Sequence, residues 1–154
     1  MKIKVNQEQI DKLKRIIDKH GIESLGIEPY RLIEMGLVVH YDGNLILRGT
    51  PIKSLGNLES VGGNLDLVKT QINDLGKLKS VGGSLYLNGR KINNLGDLMS
   101  VGNNLDLRNT KVDVNGLGKL KYVGGHLSIK NSPLSYLDSF EEIENQVDIQ
   151  GLIG

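Results

Sequence analysis

A period of twenty residues runs through most of this chain and limits what it can fold into more than any other feature. Residues 43–62 read GNLILRGTPIKSLGNLESVG, residues 63–82 read GNLDLVKTQINDLGKLKSVG, and residues 83–102 read GSLYLNGRKINNLGDLMSVG. Residues 103–124 repeat the pattern with two additional residues, 125–144 keep its apolar positions, and a truncated unit covers 145–154. A repeat this short predicts a solenoid, in which each unit forms one coil and neighbouring coils stack.

Within one repeat, the apolar residues predict a strand followed by an arc. Leu65 and Leu67 alternate with Asn64, Asp66 and Val68, which is the pattern of a short strand with one buried face. The later apolar residues return at looser spacings, as expected of an arc that turns back toward the core. The alternative, a repeat of helix pairs, needs about 33 residues or more per unit. It would also place glycines inside helices, each at a cost of about 1 kcal/mol.

The chain contains 20 glycines, and many of them recur in phase with the repeat. One set consists of Leu-Gly pairs, which end at Gly56, Gly76, Gly96 and Gly118. The other set consists of Val-Gly pairs, which end at Gly62, Gly82, Gly102 and Gly124. A glycine at a fixed place in every coil predicts either a positive φ angle or a close approach between coils.

The stretch Leu65-x-Leu67-x-x-Thr70-x-Ile72 resembles the leucine-rich-repeat superfamily, whose signature is L-x-x-L-x-L-x-x-N/C-x-L. The resemblance extends over residues 43–151. It departs from the signature in two ways: a Val-Gly pair replaces the leading Leu, and other residues replace the Asn. The residues at the Asn position are Thr50, Thr70, Arg90, Thr110 and Ser132. A hydroxyl group there can still bond the turning backbone.

The resemblance implies an α/β repeat solenoid, a right-handed coil with a parallel β-sheet face, whose general role is molecular recognition. It carries no catalytic residue. Short Gly-rich repeats of this kind are similar to those of bacterial and phage-encoded proteins. This similarity implies an inhibitor or adaptor that binds a host or defence protein in the host cytoplasm.

Residues 1–42 are predicted to form an N-terminal helical cap on the solenoid of residues 43–154. Asn6 is a suitable helix N-cap and Gly21 a suitable C-cap. Between them, one apolar stripe is formed by Ile10, Leu13, Ile16 and Ile17. A second short helix is predicted from 29 to 35, ended by Gly36. A membrane-binding or partner-binding helix is the alternative, but the mixed charges around a narrow stripe favour a cap.

The C-terminal end is predicted to close with an acidic turn and a last strand. Phe140 and Ile143 lie among acidic residues and are expected to cover the core. Val147 and Ile149 alternate as in a strand whose outer edge is unpaired. Such an edge is a template for pairing with another chain, which makes a homodimer through this strand one expectation.

The outward residues of the strands are expected to form three columns on one open, wet face. The first column is Asn44, Asn64, Ser84, Asn104, His126 and Gln146. The second is Ile46, Asp66, Tyr86, Asp106, Ser128 and Asp148, and the third is Arg48, Val68, Asn88, Arg108, Lys130 and Gln150. The Asn-rich first column is expected either to be solvated or to stack on itself.

The predicted partner-binding site lies on this face, and the predicted partner is another protein. Its centre is formed by Asp66, Tyr86, Asp106 and Arg108, because Tyr and Arg are enriched at binding hot spots. Its rim is formed by Arg48, Asn88, His126 and Lys130.

Catalysis is not expected, and neither is a cofactor or a metal site. Asp66 and Asp106 lie two repeats apart, about 10 Å on the strand spacing. That separation exceeds the distance of roughly 6.5–9.5 Å between the two catalytic carboxyl groups of inverting glycosidases. The three histidines are scattered, and the chain contains no cysteine, which excludes disulfides and thiolate ligands.

Charge and hydropathy argue against general nucleic-acid binding, secretion and membrane insertion. With 19 Lys and Arg against 18 Asp and Glu, the formal net charge is +1, whereas general nucleic-acid binders carry a large basic excess. The first residues lack the apolar run of a signal peptide, and no stretch is apolar enough for a membrane span, so a cytoplasmic protein is expected. Two alternatives stay open. One is a self-assembling structural protein, and the other is nucleic-acid or nucleotide binding through Arg48, Arg90, Arg108, Lys111 and Lys130.

Overall fold

The computed structural model describes residues 7–21 and 26–154, and the fold is a β-solenoid with parallel sheets behind an N-terminal helix. Three α-helices are present in this part of the chain: α1 (Gln7–His20), α2 (Pro29–Glu34) and α3 (Glu141–Glu144). The strands are β1 (His40–Tyr41), β2 (Leu45–Ile46), β3 (Ser60–Val61), β4 (Leu65–Asp66), β5 (Ser80–Val81), β6 (Leu85–Tyr86), β7 (Ser100–Val101), β8 (Leu105–Asp106), β9 (Tyr122–Val123), β10 (Leu127–Ser128) and β11 (Asp148–Ile149). None of the helices in the described ranges is long and apolar enough to cross a bilayer.

The strands form two sheets, although the sequence predicted a single sheet face. The predicted Leu-x-Leu strands build a five-stranded sheet in the order β10-β8-β6-β4-β2. A second, six-stranded sheet in the order β1-β3-β5-β7-β9-β11 contains the three Ser-Val segments β3, β5 and β7 and their equivalents β1, β9 and β11 in the other coils. Each strand pairs in parallel with its equivalent one coil away, as in Leu65 with Leu85 and Val61 with Val81.

A continuous apolar core fills the space between the sheets and the arcs, as the repeat predicted. In a representative coil, Leu65, Leu67, Ile72, Leu75, Leu78 and Val81 are at most 2% exposed. Equivalent residues of the other coils stack on them, so that each coil buries the open face of its neighbour.

Of the two predicted reasons for a glycine, a positive φ angle applies to the Leu-Gly set and a close approach between coils applies to the Val-Gly set. Gly96, of the Leu-Gly set, has a φ of 57°, in the left-handed region that favours glycine. Gly102, of the Val-Gly set, lies so close to the previous coil that a Cβ atom would come within 2.0 Å of the Gly82 carbonyl oxygen. The first glycine allows the arc to turn, and the second allows the coils to touch.

A ladder of hydroxyl groups runs through the coils at the position that was compared with the Asn of the signature. Thr70 Oγ1 donates to the Leu67 carbonyl and Thr110 Oγ1 to the Leu107 carbonyl, both at 2.7 Å. Thr50 and Ser132 make the same bond in their own coils. Arg90 breaks the ladder, since its Nη1 donates to the Thr70 carbonyl of the preceding coil.

The N-terminal helices cover the first coil of the solenoid. Of the predicted stripe, Ile10, Leu13 and Ile17 pack against the core, whereas Ile16 stays partly exposed without joining that contact. Gly21 ends α1 with a φ of 82°, as predicted, while the predicted N-cap Asn6 lies outside the described residues. The second predicted helix is present as α2 and is followed by Gly36 with a φ of 77°. Since β1 pairs with β3, the six-stranded sheet begins within residues 1–42.

The C-terminal turn covers the core as predicted, but the last strand belongs to the other sheet. Phe140 packs on the core, and Ile143 of α3 is fully buried. Strand β11 pairs with β9, so Gln146, Asp148 and Gln150 do not continue the three columns. The predicted register was wrong because Gly151, which bonds to the Gly125 carbonyl, marks the true phase. The five-stranded sheet is continued by Ile153, which bridges to Leu127.

Candidate functional site

The candidate site is the outward face of the five-stranded sheet, called here the strand face. Its middle column runs Ile46, Asp66, Tyr86, Asp106 and Ser128, each residue in register with the next. This register confirms the predicted placement of Tyr86 between Asp66 and Asp106. The predicted centre of the site is therefore a contiguous cluster on three neighbouring strands.

The two aspartates of this cluster are not open to water, contrary to what the sequence predicted for the face. Asp66 and Asp106 are each only 7% exposed. The reason is a turn directly after each strand, which the carboxylate caps: Asp66 Oδ1 accepts from the Val68 N–H at 3.0 Å, and Asp106 Oδ1 from the Arg108 N–H at 3.1 Å. Both carboxylates thus have a role in the fold as well as a place in the site.

Each aspartate also holds an arginine. Arg48 Nε donates to Asp66 Oδ2 at 2.9 Å, reaching across from the neighbouring coil. Arg108 donates to both oxygens of Asp106, from Nε at 2.9 Å and from Nη2 at 2.8 Å. The side chains of Arg48 and Arg108 are nevertheless 52% and 49% exposed. The Asp106 carboxylate raises the pKa of Arg108 above its ordinary value by hydrogen bonding and by charge.

The first column of the strand face is a structural ladder that bonds one coil to the next. The side-chain oxygens of Asn44, Asn64, Ser84 and Asn104 accept the backbone N–H at the same position of the following coil. His126 continues the ladder, because its Nδ1 accepts the Leu152 N–H at 2.9 Å. Of the two expectations for this column, the structure favours stacking over solvation, and His126 at the predicted rim takes part in the fold.

The third column contains the other predicted rim residues. Asn88 Oδ1 accepts from Asn109 Nδ2 at 2.7 Å, so its side chain is also engaged with the next coil. Lys130 is exposed and forms no ion pair with any residue in the described ranges. Ile46, which the sequence did not select as a site residue, is 58% exposed at one end of the middle column. Its place in the outward middle column of the repeat was the sequence signal by which it could have been selected.

A chain of three polar side chains on the six-stranded sheet escaped the sequence analysis. His40 Nδ1 lies within hydrogen-bonding distance of Ser60 Oγ, and His40 Nε2 lies 2.6 Å from Asp42 Oδ1. In serine hydrolases the ring contacts are reversed, with Nε2 toward the serine and Nδ1 toward a buried aspartate. Asp42 is 96% exposed here and cannot hold the ring in the same way. The chain joins β1 to β3, and extending the twenty-residue period backward aligns His40 with Ser60.

Within residues 7–21 and 26–154, no group of three or more His, Cys, Asp or Glu side chains is placed to hold a metal ion. The fold and the strand face together define a small β-solenoid whose outward columns are ordered by ion pairs and hydrogen bonds. Comparison of the chain with protein-family models, curated proteins and solved structures finds no match. The class of the protein therefore follows from its twenty-residue coils and parallel sheets.

Proposed function

We propose that this protein binds another protein through the strand face and does not act as an enzyme. The observation that carries the proposal is the pair of half-exposed arginines, Arg48 and Arg108, each fixed by a buried aspartate on either side of Tyr86. Side chains that are already ordered lose less conformational entropy on binding, and Tyr and Arg are the residues most enriched at hot spots.

The strand face and the turns that border it are proposed to form the interface together. Five strands at a spacing of about 4.8 Å extend over roughly 20 Å. A standard interface covers roughly 800 Å² per partner, so we expect a partner to contact the bordering turns as well as the strands. Exposed Ile46 adds apolar surface at one end.

We infer different roles for the individual residues of the site. Tyr86 and Arg108 form the proposed hot spot with Arg48 beside them. Asp66 and Asp106 act as positioning residues, because they are buried and reach a partner only through the arginines they hold. Asn88, His126 and Lys130 form the proposed rim.

The proposed biological role rests on the resemblance described above. We infer a member of the leucine-rich-repeat superfamily of the phage-encoded kind, acting in the host cytoplasm as an inhibitor or adaptor. Self-assembly through β11 is the second candidate, because β11 ends the six-stranded sheet and neighbouring Leu152 is 75% exposed. Sedimentation velocity at rising protein concentration tests for it.

The proposal is tested by capture of a partner with the tagged protein from a lysate of the organism that encodes it or of its host. The double variant Tyr86→Ala, Arg108→Ala is compared with Tyr122→Ala, Lys121→Ala, which removes a tyrosine and a cation from the other sheet. We expect the first variant to bind the captured protein at least about tenfold more weakly, since hot-spot losses exceed about 1–2 kcal/mol. Equal affinity of the two variants for that protein contradicts the proposal.

A further inference from the structure

Cations follow four of the five strands of the five-stranded sheet, in the segments where the chain turns from the strand into the arc. This basic ridge consists of Lys69, Arg90, Lys91, Lys111 and Lys130. The four lysines are exposed. None of the five residues forms an ion pair with a residue in the described ranges 7–21 and 26–154.

Other lysines of these coils, outside the ridge, have a hydrogen-bond or ion-pair partner. Lys79 pairs with Glu59 at 3.4 Å, and Lys119 pairs with Asp97 at 2.7 Å, each one coil back. Lys77 Nζ likewise donates to Asn57 Oδ1 at 2.8 Å. The repeat therefore places a side-chain acceptor next to these lysines, whereas the four lysines of the ridge have no ion-pair partner in the described ranges. Like charges on coils about 4.8 Å apart repel one another, and an anionic partner would relieve that repulsion.

Arg90 provides a second, independent observation. It occupies a position where neighbouring coils have a buried Thr, and its Nε is buried without a hydrogen-bond partner. A notch of about 400 Å³ lies beside it, lined by Thr70, Gln71, Ile72, Asn73, Gly89 and Lys91. Nη1 of the same guanidinium donates to the Thr70 carbonyl, so the unsatisfied donor is the buried Nε–H, and a buried charged donor without an acceptor is costly. A carboxylate forms short, strong charge-assisted hydrogen bonds with guanidinium N–H groups, and it would also offset the charge of Arg90 beside the notch.

We propose that the basic ridge binds an acidic segment of a partner protein and that one carboxylate of this segment enters the notch at Arg90. The inference rests on the proposed function and gives the chemical class of the partner surface. A single-stranded nucleic acid is the competing anion, but its binding sites add aromatic surfaces for base stacking. Among the strands of the five-stranded sheet, Tyr86 is the one aromatic residue, and it is half-buried.

The test uses fluorescence anisotropy with a fluorescein-labelled deca-glutamate peptide and a ten-nucleotide oligo-dT of similar charge. The ridge variant is Lys69→Gln, Lys91→Gln, Lys111→Gln, which leaves Lys130 of the proposed rim unchanged. Its matched control is Lys77→Gln, Lys79→Gln, Lys119→Gln, which removes the same net charge from the paired lysines. We expect the ridge variant to weaken peptide binding about tenfold or more and the control to change it less than about twofold. Equal losses in both variants, or tighter binding of oligo-dT than of the peptide by the unmodified protein, overturn the inference.

Arg90→Thr tests the notch by itself. This substitution restores the hydroxyl ladder and should leave the melting temperature equal or higher, so a loss of binding cannot be assigned to unfolding. We expect peptide binding to weaken several-fold, and unchanged binding would remove the notch from the proposal. A different result would overturn the inference while leaving the proposed function intact. In that result, a captured partner protein requires Tyr86 and Arg108 for binding but binds the ridge variant as tightly as the unmodified protein.

Discussion

Single atoms decide how the coils of this solenoid stack. At the Val-Gly position the absence of a Cβ lets the Gly102 backbone approach Gly82 of the preceding coil, and the Gly102 N–H donates to the Val81 carbonyl at 2.8 Å. At the turn after the strand the requirement is conformational: Gly89 has a φ of 75°, with open space around its missing side chain. Lys69 occupies the equivalent turn with a φ of 59°, which shows that this second position tolerates a side chain at some cost.

The two kinds of glycine are predicted to respond differently to alanine. Gly102→Ala should lower the free energy of unfolding by more than about 2 kcal/mol, because the new methyl group can be accommodated only by moving two backbones apart. Gly89→Ala should cost only about 1 kcal/mol, the strain of a left-handed conformation. Urea denaturation followed by circular dichroism measures both, and a cost for Gly102→Ala no greater than for its control would refute the close-packing explanation.

At the scale of the element, the strands that could be predicted from the sequence are those with an alternating apolar pattern. The Leu-x-Leu strands were evident because Leu65 and Leu67 recur in every full coil. The Ser-Val strands were missed because two residues carry no alternation, and their pairing depends on the stacking of other parts of the coil. For the same reason the register of β11 was wrong, since its coil is extended by other turns and retains only Gly151 as a marker.

The candidate site was predictable in position but not in environment. The period placed Tyr86 between Asp66 and Asp106, and the sheet register confirms it. The burial of the two aspartates was not predictable, because it results from turn capping and from the arginines that fold over them. A periodic pattern gives the direction of a side chain, whereas its exposure depends on the lengths and conformations of its neighbours.

The ion pair between Asp97 and Lys119 links two neighbouring coils and predicts a pH dependence. Hydrogen bonding and charge from Lys119 lower the pKa of Asp97 below its ordinary value of 3.8. A lowered pKa means that the pair stabilises the fold above this value and that the contribution is lost as the pH falls through the pKa of the folded state. Unfolding free energies measured between pH 2 and 6 should therefore fall less steeply for Asp97→Asn than for the unmodified protein. Glu59→Gln, at a longer ion pair, provides the comparison, and identical profiles for Asp97→Asn and the unmodified protein would contradict the assignment.

At the scale of the whole molecule, the bonds that stabilise the fold and the residues of the proposed binding face are both shared between neighbouring coils. The first-column ladder, the hydroxyl ladder and the glycine contacts each involve one coil or two adjacent coils. The stability of such a fold approximates a sum over coils and their interfaces. The strand face is assembled in the same way, since Arg48 and Asp66 come from adjacent coils.

This nearest-neighbour organisation predicts that a whole coil can be removed more safely than half of one. Deletion of residues 63–82 joins Gly62 to Gly83 and preserves the phase of every remaining coil, so we expect a cooperative fold with one strand fewer in each sheet and a lower unfolding free energy. Deletion of residues 63–72 removes only half as many residues but takes Leu65, Leu67 and Ile72 out of the core and leaves an arc without its strand. That variant should lose its cooperative thermal transition, measured by circular dichroism, and its compact elution in gel filtration. If the shorter deletion is tolerated as well as the longer one, the coils do not depend on the phase of the repeat.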